Sequence, residues 1–476
     1  MLEIVALIAL FLVVFSILLL IHEGGHFFVA KAAGITVLEF GLGFPPRLWG
    51  IRRGGTVYSI NAVPFGAFVR MLGEDDPTEP GSLAATSART RLMVMGAGPF
   101  MNALLAVVLF TVMFMFPRDV PVGEVLVQEV ANGSPAQEAG IQPGDTIIEV
   151  NGQTLDNESD LVLLVSLKLG TRMDWTIERD DQRFSVQVAP SFNPQDDQWE
   201  VRDVLVGDVV VQEVAENSPA QSAGLRSGDI VAEVNGQPLE NHTDLIYLVN
   251  RDLGSSMTWT IDRGGQRFPV QVTSRVDPPQ GQGAVGVIIT TVNFHTESRP
   301  DLPDSADRAG LARIDAVGLT PTTVGLRFER RSDPPWTAFG NGITRMGEVL
   351  VLIKNEFTKW TSGGSPPEVS GPVGIGHIFV EVGQLEGIST VNRIQFFIQL
   401  AAVISMVLGL FNFLPIPALD GGRILFVLIE IARRGKRISP KREGMVHLVG
   451  FAVMISFLIL VTFVDVTRLG DSLLGG

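Results

Sequence analysis

The chain contains no cysteine. Disulfides, cysteine-ligated zinc and thiol catalysis are therefore excluded, and any metal must be held by histidine and carboxylate. Histidine is scarce too, six in 476 residues. A basic surplus is missing: the formal net charge is −15, and residues 118–333 alone hold 17 Lys+Arg against 34 Asp+Glu. That balance leaves no electrostatic footprint for nucleic acid. The amino end lacks Lys and Arg, and no small-residue cleavage site precedes His22. Residues 1–22 are accordingly expected to be a retained anchor and not a cleaved signal peptide.

What the chain has in quantity is apolar sequence, with a mean hydropathy of +0.30. Four runs, near 4–26, 94–116, 396–416 and 446–466, each have about the twenty residues needed to cross a hydrocarbon core. The loop after the first run carries Lys31, Arg47, Arg52, Arg53, Arg70, Arg89 and Arg91. The loop between the last two carries Arg433, Arg434, Lys436, Arg437, Lys441 and Arg442. The positive-inside tendency places both loops in the cytoplasm and the acidic region 118–333 on the far side.

His22-Glu23-Gly24-Gly25-His26 closes the first apolar run. Four-residue spacing puts two imidazoles on one helix face, where both can bind one zinc ion, with Glu23 placed as general base toward water. Ionisable groups inside a span are costly, which favours a functional reading. Two histidines do not complete a catalytic zinc site, and without cysteine a carboxylate is expected as third ligand. Asp420 is the only acidic residue between 394 and 429. Its alternative use is a simple Asp-Gly turn. Pro415 and Pro417 break the third run at membrane depth, which is tolerated where backbone lines a polar cavity. Asn412 is placed either to donate to substrate or to join helices.

Between the second and third runs lies a repeat. Residues 134–188 begin SPAQEAGIQPGDTIIEVNGQTL and residues 218–272 begin SPAQSAGLRSGDIVAEVNGQPL. Each copy predicts a short helix, a turn, an alternating strand, an Asn-Gly hairpin turn and a second helix. The pattern resembles the PDZ domain, which binds extended chains at a sheet edge. A spacer that binds nothing is the alternative. Val285-Gly286-Val287 is a weak candidate for a terminus-binding loop. Residues 291–335 show little periodicity and read as linker. Residues 338–360 read as an amphipathic helix, lying on the membrane or packed on the repeats.

Membrane HExxH, the downstream Asn412-Phe413-Leu414-Pro415-Ile416-Pro417-Ala418-Leu419-Asp420-Gly421 and the tandem repeats together resemble the site-2 protease family of intramembrane zinc metalloproteases, and within it the bacterial RseP-type group. The resemblance covers nearly all the chain except about 291–335. It implies that His22, His26 and Asp420 hold Zn2+, that Glu23 is catalytic, and that Asn412 and Pro417 handle substrate. Phe40–Phe44 and Tyr58–Met71 resemble the family's membrane-associated β-hairpin, which implies substrate contact near Tyr58 and Phe68. Gly98-Pro99-Phe100-Met101-Asn102 and Ser370-Gly371-Pro372-Val373 match further family stretches. Gly24 stands where a larger apolar residue is usual, so the ligand-bearing turn is either mobile or tightly packed.

The expected fold is thus a multi-pass α-helical membrane protein with four transmembrane helices, a membrane-associated β-hairpin and two inserted PDZ-like α+β domains. Boundaries are expected at 1–117 for the first two spans and hairpin, 121–200 and 204–290 for the repeats, 291–337 for the linker, and 338–476 for the amphipathic helix and last two spans. The resemblance implies cleavage of transmembrane segments in the bacterial cytoplasmic (inner) membrane. Its implied substrates are anti-sigma factors or remnant signal peptides, trimmed first by an upstream site-1-type protease. The rival reading is a PDZ membrane scaffold with a structural or inactive metal site.

Overall fold

A computed structural model of the protein describes residues 2–74, 79–192, 203–239, 242–275, 283–298, 314–362, 370–384 and 390–474. Helix α1 (Leu2–Ala32) leads into a hairpin of β1 (Val37–Arg53) and β2 (Thr56–Met71), and then α2 (Ala88–Met115) follows. Ser87 caps α2 by accepting from the N–H of Thr90 at 3.2 Å, which satisfies a donor left open at the helix start. The first repeat contains β3 (Arg118–Val130), α3 (Pro135–Glu138), β4 (Thr146–Val150), β5 (Gln153–Thr154), α4 (Glu158–Leu167), β6 (Met173–Arg179) and β7 (Gln182–Val188). The second contains β8 (Asp203–Val214), α5 (Pro219–Ser222), β9 (Ile230–Val234), β10 (Gln237–Pro238), α6 (His242–Arg251), β11 (Ser256–Arg263), β12 (Gln266–Thr273) and β13 (Val287–Ser298). Then come β14 (Leu319–Arg331), α7 (Pro335–Thr361), α8 (Pro372–Gln384), α9 (Thr390–Phe413), α10 (Asp420–Ala432) and α11 (Pro440–Leu474). Among the described residues, four helices are long and apolar enough to cross a membrane: Ile4–Ala32, Ala88–Met115, Thr390–Phe413 and Lys441–Arg468.

The hairpin folds back on itself. Residues 37–44 lie between two parts of β2, with Glu39 opposite both Arg70 and Val57, while residues 47–53 pair with 56–61. The stretch ending in Met71 is therefore an outer edge of this small sheet. Its underside is apolar: Phe27, Ala30, Val37, Met71, Val94 and Val427 pack together and join α1, the hairpin, α2 and α10.

The two repeats are built alike to the level of single bonds. Asp145 and Asp229, each 1 % exposed in its side chain, receive the guanidinium of Arg179 and Arg263 at 2.5 Å. Trp175 and Trp259 fill the two cores and are fully buried. The connection differs from the tandem arrangement expected. In the second unit β13 pairs with β8, but in the first the partner of β3 is β14. The contact set Ala131 N–H to Gly318 O and Ala136 N–H to Val317 O repeats as Ala215 to Gly286 and Ala220 to Val285. The second repeat is thus inserted into the first, whose core is completed by Ile314, Val317 and Leu319.

This corrects the expected linker at 291–337. Residues 287–298 and 319–331 are strands that extend along β8 and β3, because each unit would otherwise leave a long strand edge unpaired. Residues 299–313 lie outside the described residues. Helix α7 starts at Pro335, and it joins two layers. An added Cβ at Gly342 would sit 2.8 Å from Thr111 Oγ1 of α2, and Asn355 donates to Ser166 O at the end of α4 at 2.8 Å.

Candidate metal centre

His22 and His26 lie one turn apart on α1 with their Nε2 atoms 3.3 Å from each other. Asp420 Oδ2 is 3.0 Å from the first and 3.2 Å from the second. Among the described residues this is the one group of three or more His, Asp or Glu side chains whose ligand atoms all fall within 4.8 Å. Both imidazoles are buried. Asp420 lies beyond the third span. Helix α9 stops at Phe413, residues 414–419 form a separate turn, and Asp420 opens α10. A helix start is favourable for a negative charge.

Close packing makes this possible. A Cβ on Gly25 would lie 2.5 Å from Ala97 O and 2.8 Å from Met101 Cγ, whereas Gly24 would meet only Phe28, at 3.9 Å. The HExxH turn is therefore pressed against α2 through its second glycine. Gly98 of α2 faces the site: an added Cβ would overlap His26 Nε2 and stand 2.8 Å from His22 Nε2. Pro99 follows inside the helix, where it withholds one backbone donor. A Cβ on Gly421 would fall on the Leu414 carbonyl, and one on Gly422 on that of Ile416.

The outer nitrogens are also held. His26 Nδ1 contacts Val94 O at 2.7 Å, and His22 Nδ1 contacts the Asn102 side-chain amide at 3.2 Å. Asn102 is fully buried, and its Oδ1 has no partner among the described residues. Turning the amide over presents Oδ1 as an acceptor to an Nδ1–H on His22. Each imidazole then carries its proton at Nδ1 and directs the Nε2 lone pair toward Asp420. Two Nε2 atoms and one carboxylate oxygen, braced from behind and with no bulk at Gly98, fit a divalent cation of the zinc type with an open position.

Glu23 is half-buried, and its Oε2 accepts the N–H of Val69 at 3.1 Å. The HExxH turn is thereby tied to the outer edge of the hairpin. Phe68, beside it, stacks on Phe44 with ring centres 6.5 Å apart. It borders an open groove of about 540 Å³ with Glu39, Pro45, Arg47, Asn61 and Arg70. Tyr58 is placed otherwise: its ring packs on Phe27 and Phe40 in the cluster beneath the hairpin. Asn412 donates to Leu408 O of its own helix at 2.9 Å. Pro417 lies against Gly450 of α11. Gly98 and Asn102 fall in a segment matched by resemblance alone, with no role assigned. An Asn inside an apolar span is the signal that marks it.

The model of peptidase family M50 matches residues 10–457. The chain belongs to peptidase family M50. A probable protease, Eep, of Enterococcus faecalis is 29% identical, covering 96% of this chain and 98% of its own. Zinc metalloprotease RasP of Shouchella clausii is 27% identical over the same shares. A regulator of sigma E protease of Haemophilus influenzae is 26% identical, again over 96% and 98%. Among solved structures, the PDZ domain of an SdrC-like protein from Listeria monocytogenes aligns with 17% of this chain and 85% of its own, at 20% identity and a TM-score of 0.16. As an M50 peptidase, the chain is a zinc metalloprotease by class. No fourth His, Asp or Glu joins the three ligand atoms among the described residues, so the geometry lends nothing to a closed structural site.

Proposed function

We propose that the chain is an intramembrane metalloprotease that holds zinc on His22, His26 and Asp420 and cleaves transmembrane segments of trimmed single-span proteins. The convergence of those three donors at the end of an apolar span, with Glu23 next to His22, carries the reading. Bound zinc would supply Lewis-acid activation of water and of the scissile carbonyl. Glu23 takes the proton from the attacking water at its carboxylate and returns it to the leaving amine nitrogen. A helical substrate hides its carbonyls, so it must open first. The outer edge of β2 offers an opened strand a ladder to join, and Val69, which already touches Glu23, sets that strand beside the site. Phe68 fits the adjoining groove, while Asn412 serves substrate once its amide leaves Leu408 O.

The basic loops support a cytoplasmic-side active site in a bacterial inner membrane, with the repeats outside. The repeat units are read as PDZ-like. In the second, an apolar groove of about 200 Å³ lined by Leu245, Val249, Val285, Val287 and Ile289 suits an extended apolar chain. The name regulator of sigma E protease among the relatives supports anti-sigma factors as substrates. Remnant signal peptides and an upstream site-1-type protease follow from the same resemblance. Purified protein in detergent is expected to cleave a trimmed single-span substrate and to lose that activity with a chelator. Absence of cleavage with several such substrates and added zinc would move the reading to a scaffold.

The repeats are read as a size filter. Their removal must respect the nesting: a deletion of 121–290 would strand β14 without β3. Arg118 and Arg331 face each other at the end of that ladder, so excision of 119–330 takes out both units whole. The excised protein is expected to cleave untrimmed substrates that the full chain rejects. Unchanged selectivity in a substrate-length series would sink the filter.

A further inference from the structure

One histidine outside the metal centre lies in a membrane span. His447 sits on α11 near the start of Lys441–Arg468, one turn past Glu443. Its Nδ1 accepts the backbone N–H of Ala418 at 2.9 Å. Its ring lies against Phe426 of α10, 5.4 Å between centres. Ala418 stands two residues before Asp420 and has a φ of 81°. That is the left-handed region, which costs a residue with a side chain about 1 kcal/mol or more and persists only where neighbours impose it. A second contact imposes it here. An added Cβ at Gly450, one turn past His447, would lie 2.6 Å from Pro417 O. α11 therefore passes the 415–419 turn with no space for a side chain at Gly450 and accepts a hydrogen bond from Ala418 N–H.

We propose that the fourth span, through His447 and Gly450, sets the position of Asp420 as a metal ligand. His447 is a positioning residue. It acts by fixing Ala418 in its left-handed conformation, so that the turn delivers Asp420 to the two imidazoles at the start of α10. The task requires a neutral ring with an accepting Nδ1, which a carboxamide oxygen in the same place also supplies. The inference rests on the reading of His22, His26 and Asp420 as a zinc site.

The test is zinc affinity, measured on full-length protein in detergent by stripping the metal and titrating Zn2+ against a chromophoric chelator. Loss of a partner behind a ligand weakens metal binding by about 10- to 100-fold. His447→Ala is expected to lie at the lower end, and His447→Asn, whose Oδ1 falls near the place of Nδ1, to return to within about threefold of wild type. Gly450→Ala reaches the same turn without touching His447 and is expected to weaken zinc as His447→Ala does. Unaltered zinc affinity in His447→Ala and Gly450→Ala would overturn the proposal. Equal weakness in His447→Ala and His447→Asn would overturn it as well, since the acceptor would then not be what matters. A wild-type protein that binds no zinc would remove the underlying site reading, an outcome that the variants alone do not produce.

Discussion

Glu23→Gln is expected to lower peptide-bond hydrolysis by about 10³-fold, within the range of roughly 10²- to 10⁴-fold that a positioned acid–base group contributes. The substitution keeps the shape of the side chain. Its amide oxygen still accepts from Val69 N–H, the contact that Glu23 makes at 3.1 Å, so the link between α1 and the hairpin edge survives. It removes only the ability to take a proton from water and return it. Zinc content is expected to stay at the wild-type level, because His22, His26 and Asp420 meet without help from Glu23. Cleavage of the trimmed substrate and metal stoichiometry are to be measured on the same preparation. Full activity with zinc bound would exclude Glu23 as the base.

The second large effect comes from a residue with no side chain. Gly98→Ala places a methyl group onto His26 Nε2 and 2.8 Å from His22 Nε2. Overpacking of this kind costs about 1–3 kcal/mol. If the metal-bound arrangement bears that cost, zinc affinity falls about 10- to 100-fold, since about 1.4 kcal/mol is tenfold. Hydrolysis at limiting zinc falls with it. Gly96→Ala is the control: its Cβ would meet only the Phe413 ring, at 4.0 Å, and near-wild-type zinc binding is expected. Equal behaviour of the two variants in the chelator titration would show that α2 does not shape the site.

The candidate metal centre is legible where its chemistry is periodic or rare. His22 and His26 are four residues apart on one helix, and Asp420 is the single acid in a long apolar stretch. The supports behind them were less legible. Asn102, Gly98 and His447 act across helices, and contacts between distant segments leave no local period to read. The constant spacing between residues 134–188 and 218–272 exposed the two repeats, yet it also concealed how they connect. The closing strand of the first unit stands at 319–331, beyond the second repeat, so a constant offset does not reach it. The ambiguity over α7 dissolves because one end meets α2 and the other meets α4. Tyr58 reads as a substrate contact by resemblance alone, and in the fold its ring packs on Phe27.

The nesting of the repeats also dictates an order of assembly. Synthesis proceeds from the amino end, so β3 emerges long before the strand that covers it. The inner unit has all its strands in one continuous stretch and is free to close before the outer one. The outer unit waits, its apolar edge from Val125 to Val130 exposed, until Leu319 and the residues after it arrive. Pairings so distant along the chain form slowly and leave open edges at risk of wrong partners. Released chains truncated before residue 319 should therefore carry a protease-resistant inner unit inside an unfinished outer one.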